Sequence, residues 1–338
     1  MTVLNRIVWR LLMLLAVVLC VTLITFVISH QLPGDPAQLM AGPRAGPDAI
    51  EKMRAALGLD RPLHIQYARY LHDLLQGDFG ASIVTQRPVL SELAAVFPAT
   101  LELMLTALFI SVTLGVILGV AAAVRHGSWF DHFIRASATF GISVPSFWLG
   151  LMLLLIFYGQ LGILPGVGRL DDALDPPAAM TGFYTLDAAL QGQWAVLRNA
   201  LEHLLLPALT LALVSFGGML RVIRASMIEV LSEDYIRTAI ASGIPRRTVI
   251  FNHALRNALI PFVTVLGLEF AALLFGSVVV ETIFMWPGAG SLVLEAIFAL
   301  DFPMIMCFTV IVSMAYVIIN FAVDLLYMAI NPQIREIG

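Results

Sequence analysis

Six predominantly apolar stretches punctuate the chain, near Ile7–Ser29, Leu101–Val124, Ala138–Leu161, Leu204–Leu220, Ala258–Val280 and Pro303–Ile330. A helix crosses the hydrocarbon core of a bilayer with about 17–25 such residues. None of the six shows the two-residue alternation of a membrane barrel. The expected fold is therefore all-α and polytopic, with about six transmembrane helices. Polar pieces between the spans carry their own helical pattern. In the loop opened by Leu32-Pro33-Gly34-Asp35-Pro36, amphipathic periodicity predicts helices at Pro47–Leu57 and Leu63–Leu75. A basic amphipathic stretch, Ser232 to Pro261, lies before the fifth span. Ser232 suits a helix N-cap, with Glu233 and Asp234 in the first turn. Gly243 before Ile244-Pro245 is a stop signal, so a helix of about three turns is expected there.

These patterns divide the chain into an anchor helix (1–30), an extracytoplasmic helical element (31–97) and a transmembrane core (98–338) with a polar loop at 221–258. The first span follows Arg6 and Arg10 as a signal peptide would. Its apolar run is too long for one and no small-residue cleavage site follows, so it reads as a retained anchor. Of the 338 residues, 59% are hydrophobic and 12% charged, against roughly 25% charged in soluble domains; mean hydropathy is +0.91. With the N-terminus inside, the cytoplasmic pieces gather eleven of the 19 Lys and Arg residues but five of the 23 acids. The positive-inside rule thus places both termini in the cytoplasm.

The chemistry that is missing narrows function. The lone lysine, Lys52, has no glycine before it, which rules out a phosphate-cradling G-x-x-x-x-G-K-[ST] loop. There is no H-E-x-x-H, G-x-S-x-G or C-x-x-C. Cys20 and Cys307 read as small apolar residues within spans, and the seven histidines are scattered. Asp171, Asp172 and Asp175 lack the register of a calcium loop and read as a solvated acidic segment. No enzyme, cofactor, metal site or nucleic-acid surface is expected. Acids within spans cost at least ~2.5–3.5 kcal/mol each at a helix centre and need a reason. Glu102, Glu269 and Asp324 are candidates for lining a translocation pathway. Alternatively, Glu102 snorkels outward and Asp324 pairs near the inner surface. Gly115-x-x-x-Gly119 allows close helix packing, and Pro145 and Pro261 are expected kinks.

The chain resembles the membrane-spanning subunit of binding-protein-dependent ABC importers, in the dipeptide/oligopeptide/nickel branch. Residues carrying the resemblance are Pro33-Gly34-Asp35-Pro36, Leu57-Gly58-Leu59-Asp60-Arg61-Pro62, Gly77-Asp78-Phe79-Gly80 and Pro98-Ala99-Thr100-Leu101-Glu102-Leu103. They continue through Asp234-Tyr235-Ile236-Arg237-Thr238-Ala239, Gly243, His253 to Pro261, Glu281-Thr282-Ile283-Phe284, Trp286-Pro287-Gly288 and Asp324-Leu325-Leu326-Tyr327. The resemblance implies the type I importer fold and a cytoplasmic EAA loop whose helix docks on an ATPase. The E-A-A-x-x-x-G core maps to Arg237-Thr238-Ala239-x-x-x-Gly243, with Arg in place of the first Glu. Residues 240–242 are Ile-Ala-Ser, where relatives often carry basic residues. Glu233, Asp234, Tyr235, Arg237, Thr238, Ala239, Gly243, His253 and Arg256 are the implied coupling residues.

The implied partners are a homologous second permease, one or two ATP-binding subunits that hold ATP and Mg, an extracytoplasmic substrate-binding protein and membrane lipid. The implied location is the bacterial cytoplasmic (inner) membrane, and the implied solutes are short peptides. Asp171-Asp172 and Thr181-Gly182-Phe183-Tyr184 resemble the dipeptide subgroup, in particular its D-amino-acid dipeptide type. Nickel, glutathione or another small solute is the alternative within the family. Outside it stand an ion-coupled carrier leaning on Glu269 and Asp324, and an intramembrane hydrolase that the missing motifs oppose.

Overall fold

The computed structural model describes residues 3–31, 36–41 and 45–330. Regular structure among them is helical apart from one isolated bridge between Ala81 and Pro88. In chain order the helices are α1 (Val3–Gln31), α2 (Pro36–Ala41), α3 (Pro47–Leu57), α4 (Leu63–Leu75), α5 (Val89–Val124), α6 (Trp129–Ser143) and α7 (Ser146–Leu153). Then come α8 (Tyr184–Leu190), α9 (Trp194–Leu231), α10 (Asp234–Ala241), α11 (Arg246–Thr248), α12 (Leu255–Ile283), α13 (Ala289–Phe298) and α14 (Phe302–Ile330). Wider π-helical turns extend α7 over Leu154–Gln160 and join α11 to α12 over Val249–Ala254. Four helices among the described residues are long and apolar enough to cross a membrane, or five if α6 and α7 form one broken span. The remaining expected span, Ile7–Ser29, falls on α1, whose described apolar stretch, Leu15–Ile28, is shorter than a span.

The third span is not the single helix that its hydropathy suggests. It breaks at Val144-Pro145, and its two halves meet at 105°. Pro145 has no N–H to donate, and its ring pushes Val144 into an extended conformation (ψ 128°). Pro98, Pro207 and Pro261 stay inside α5, α9 and α12. Helix α9 runs well past the apolar core that predicted it at both ends.

The chain forms two compact units, one of Met1–Phe97 with Ser291–Val317, the other of Pro98–Gly290 with Ile318–Gly338. In the first unit, α3 and α4 fall where their periodicity placed them. Pro47 opens α3, and Gly58 closes it in the left-handed conformation (φ +68°). Tyr67 of α4 donates its hydroxyl to the Leu19 carbonyl of α1 (3.2 Å) and lies 3.0 Å from the Thr22 hydroxyl. Its ring sits 5.3 Å from that of Phe26. Asp301 heads α14 and receives the Met304 amide (3.4 Å), the Ile83 amide (3.1 Å) and the Ser82 hydroxyl. One buried carboxylate thereby caps a helix and fastens the 82–84 turn.

In the second unit, α9 is the central post. A Cβ on Gly115 or Gly119 of α5 would stand 2.7 Å from Met219 or 2.9 Å from Ile223. The expected small-residue stripe is thus where α5 meets α9. The crossing of α6 is tighter still: a Cβ on Gly141 would meet the Leu213 carbonyl oxygen at 2.5 Å, and one on Gly217 the Ala138 oxygen at 2.5 Å. At the other end of this crossing, Arg224 grips buried Asp131 with two bonds of 2.6 and 2.7 Å, and the Gly127 amide adds a third (3.0 Å). The segment before α8 closes on Asp187, which accepts from the Met180, Thr181 and Gly182 amides and the Thr181 hydroxyl. Burial alone would raise the pKa of this carboxyl. The four donors outweigh burial and hold it below its ordinary value.

Two outcomes follow from this packing. Gly141→Ala forces a methyl group onto a backbone carbonyl and should lower stability by about 1–3 kcal/mol. Gly276→Ala, whose Cβ would lie 3.6 Å from Leu211, should be neutral or gain up to about 1 kcal/mol of helix propensity; thermal unfolding in detergent compares the two. Because the folded-state pKa of Asp187 is depressed, its contribution is complete above the unfolded carboxylate value of about 3.9. It is lost as pH falls through the folded value. Protection of the 180–182 amides from hydrogen exchange, relative to the intrinsic rate at each pH, should therefore fall in acid, and Asp187→Asn should remove that acid dependence.

Candidate functional site

Helix α9 ends at Leu231, and Ser232 finishes it: its hydroxyl donates to the Glu229 carbonyl (2.6 Å). This corrects the reading of Ser232 as the cap of the next helix. Glu233 occupies that position without a side-chain hydrogen bond, and α10 spans Asp234–Ala241, shorter than the three turns expected. A serine hydroxyl can serve the carbonyls behind it or the amides ahead, and here the long helix behind claims it. Gly243 does end the turn as expected. It takes φ +78°, and its amide bonds to the Ile240 carbonyl (3.0 Å) while Ile244 reaches back to Ala239 (3.2 Å).

One side of α10 is an anchor. Ile236 is fully buried among Met219, Ile223 and Met227 of α9 and Val249, Ala254 and Ala258 on the returning chain. That burial contributes about 1.5–3 kcal/mol. Ala239 packs partly against the same cluster. The opposite side is open: Tyr235 is 43% exposed and Ile240 59%, with Arg237 and Thr238 also facing out. Arg237 pairs with Asp234 at 3.2 Å, but both are exposed, so the pair contributes little to stability. Asn257, which sequence reasoning missed, donates from Nδ2 to the Tyr235 hydroxyl (2.7 Å) and to the His253 carbonyl (3.2 Å). It joins α10, the π-helical turn and α12. Arg256 is exposed in the first turn of α12 beside it.

The three intramembrane acids have separate placements. Glu102 is buried in an ion pair with Arg169 (2.5 Å) and also accepts from the Thr185 amide and hydroxyl (2.8 and 2.6 Å). The Arg169 guanidinium lies 3.6 Å from the Tyr184 ring centroid. Glu102 therefore fastens the loop before α8 to α5 and does not snorkel. The one arginine between Leu161 and Phe183, beside Asp171, Asp172 and Asp175, is the sign of this partner that the sequence offers. Glu269 on α12 is half-buried and hydrogen-bonded with Ser215 of α9. The Ser215 hydroxyl also lies 2.9 Å from the Ser111 hydroxyl of α5. Gly218 leaves room beside this polar thread, since a Cβ there would stand 3.9 Å from Glu269 Oε2. Asp324 lies on α14, but its side chain is outside the described residues. A fourth acid, Glu281, is buried and accepts from Thr100 (2.8 Å), while Trp286 Nε1 donates to the Ala99 carbonyl (2.9 Å). These bonds explain why Glu281 to Gly288 form a recognisable motif: Gly288 abuts Glu281 and Thr100 too closely for any Cβ.

The family model described as binding-protein-dependent transport system inner membrane component matches residues 115–336, and a companion model for the N-terminal part matches residues 3–104. The chain is 55% identical over 325 residues to the probable D,D-dipeptide transport system permease protein DdpB of Escherichia coli K12, covering 96% of each. It is 46% identical over 330 residues to the dipeptide transport system permease protein DppB of Haemophilus influenzae, covering 97% of this chain and 98% of the relative. It is 42% identical over 332 residues to the glutathione transport system permease protein GsiC of Salmonella paratyphi A, covering 98% and 99%. With matches along its whole length, the chain belongs to the binding-protein-dependent transport system inner membrane component family, as a permease subunit of an ABC importer and not an enzyme.

Proposed function

We propose that this chain forms half of the translocation pathway of an importer for short peptides, with dipeptides of the D,D type as the leading solute. The observation that carries this reading is the full-length likeness to two dipeptide permeases, the nearer of them at 55% identity. Identity to a glutathione permease at 42% favours a small tripeptide as the second reading. The machine around it comprises a second permease, one or two ATP-binding subunits carrying ATP and Mg, and an extracytoplasmic receptor. It sits in the inner membrane of a bacterium with both termini in the cytoplasm. The element 31–97 faces outward and the loop 221–258 inward.

Helix α10 is the surface on which an ATP-binding subunit docks. Its buried side is locked to α9 and α12 by Ile236, so force on its open side reaches two spans at once. Glu233, Asp234, Tyr235, Arg237 and Thr238 supply the polar contacts, and Gly243 holds the turn that sets the helix angle. His253 and Arg256 border it. Glu269, with Ser215 and Ser111, provides polar lining for the solute path, with Asp324 a further candidate. Glu102 has a fastening role.

Ile240→Asp should leave membrane insertion and thermal stability unchanged while reducing co-purified ATP-binding subunit about tenfold or more, equivalent to ~1.4 kcal/mol. Ile236→Asp should lose both stability and assembly. Normal assembly in the first variant would remove the docking assignment. Glu269→Gln should cut uptake by reconstituted importer on the order of tenfold, with basal ATP hydrolysis retained. Uptake of labelled D,D-dipeptide, L,L-dipeptide and glutathione by the same preparation ranks the solutes. Uptake by this chain alone on an ion gradient would favour the carrier reading.

A further inference from the structure

The seam between α9 and α12 has a fixed register. A Cβ on Gly276 would stand 3.6 Å from Leu211, and one on Gly218 3.9 Å from Glu269 Oε2. Seven residues forward on α9 match seven back on α12, so the two helices run antiparallel. The positions of α9 that meet α6 are Leu213, Gly217 and Arg224. Arg221 falls between these two sides, three residues beyond Gly218 and three before Arg224. It is exposed and, unlike Arg224, forms no ion pair among the described residues.

Equal offsets from facing positions of antiparallel helices lie on the same flank of their seam. Ala272, three beyond Glu269, is exposed as Arg221 is, and so is Leu268. That flank is therefore open along both helices. At its far end α7 covers it: a Cβ on Gly150 would stand 3.4 Å from Thr210 and 3.3 Å from Phe284. Side chains three apart on a helix have Cβ atoms about 5–6 Å apart. By way of Gly218, the Glu269 carboxylate thus lies within about 10 Å of Arg221 Cβ, and the arginine side chain covers much of that distance. The two groups do not pair, and Glu269 bonds with Ser215 instead. Opposite charges held near each other but apart suit a ligand that carries both. A peptide with free ends is one: an extended dipeptide is about 7 Å long, with an ammonium at one end and a carboxylate at the other.

We propose that Arg221 binds the terminal carboxylate of the transported peptide while Glu269 takes its terminal ammonium, an inference that rests on the reading of Glu269 as part of the solute path. The complete importer, reconstituted in liposomes with its receptor, should take up labelled D,D-dipeptide. No uptake at all would remove the solute assignment and this one with it. Arg221→Gln should lower uptake about tenfold with thermal stability unchanged, and Arg221→Lys should restore most of it. Importer purified without its receptor gives a readout specific to charge, the displacement of bound labelled dipeptide. Free dipeptide should displace it at about tenfold lower concentration than the C-terminal amide does. Arg221→Gln should abolish that difference and keep the preference over N-acetyl dipeptide, which Glu269→Gln should abolish instead. Undiminished uptake by Arg221→Gln, equal displacement by free dipeptide and amide, or no displaceable dipeptide would overturn the role of Arg221 and leave the solute reading standing.

Discussion

Between helices in lipid there is no hydrophobic driving force, because the acyl chains are as apolar as the side chains they would replace. Helices must instead hold one another by contact, and contact is strongest where backbones approach. In the second unit that requirement falls on α9. Gly115 and Gly119 bring α5 onto it, and Gly141 with Gly217 bring α6 so close that carbonyl oxygens occupy the space of the missing methyl groups. The Arg224–Asp131 pair then sets how far α6 can slide along the post. A post gripped this way moves as a body. Helix α10 follows it after a short turn and is pinned to it by Ile236, so displacement of α10 cannot be absorbed locally.

Buried carboxylates elsewhere in the molecule have a common logic and different donors. Asp131 and Glu102 take guanidinium groups, Asp187 takes backbone amides, and Asp301 takes a hydroxyl, one helix-start amide and turn amides. In each case the donors offset the large cost of removing a charge from water. Each also fastens a loop or helix end to a neighbouring helix. Glu269 differs in kind. Its neighbours are a serine and a glycine, and it sits half-buried on a polar thread that crosses three spans. An acid placed like this has no guanidinium to hold it, which is why it is the one proposed for the solute path.

The helix break at Pro145 and the π-helical turns flanking α7 and α12 add irregular backbone where regular helix would satisfy every polar group. Such departures are tolerated at membrane depth only where protein or water surrounds them. Here α7 lies against α9 and α12, with Gly150 close to Thr210 and Phe284. The second π-helical turn packs against α10. Irregularity is thus concentrated beside the elements proposed to move or to be moved.

Hydropathy alone located the four long apolar spans and the broken fifth, because crossing a bilayer imposes a length and a composition that no local accident imitates. Periodicity placed α3 and α4, and Gly243 announced the end of α10, since both signals act within a few residues. Motif order was sufficient to identify the family. Partnership was another matter. Nothing local tells whether Ser232 serves the helix behind or the helix ahead, or whether a proline bends a span or breaks it by 105°. That Glu102 meets Arg169, that Asn257 reaches Tyr235, and that Asp131 turns inward to Arg224 depends on segments brought together from 22 to 93 residues apart. Side-chain chemistry permits many such pairs, and only the close approach of particular helices in three dimensions selects among them.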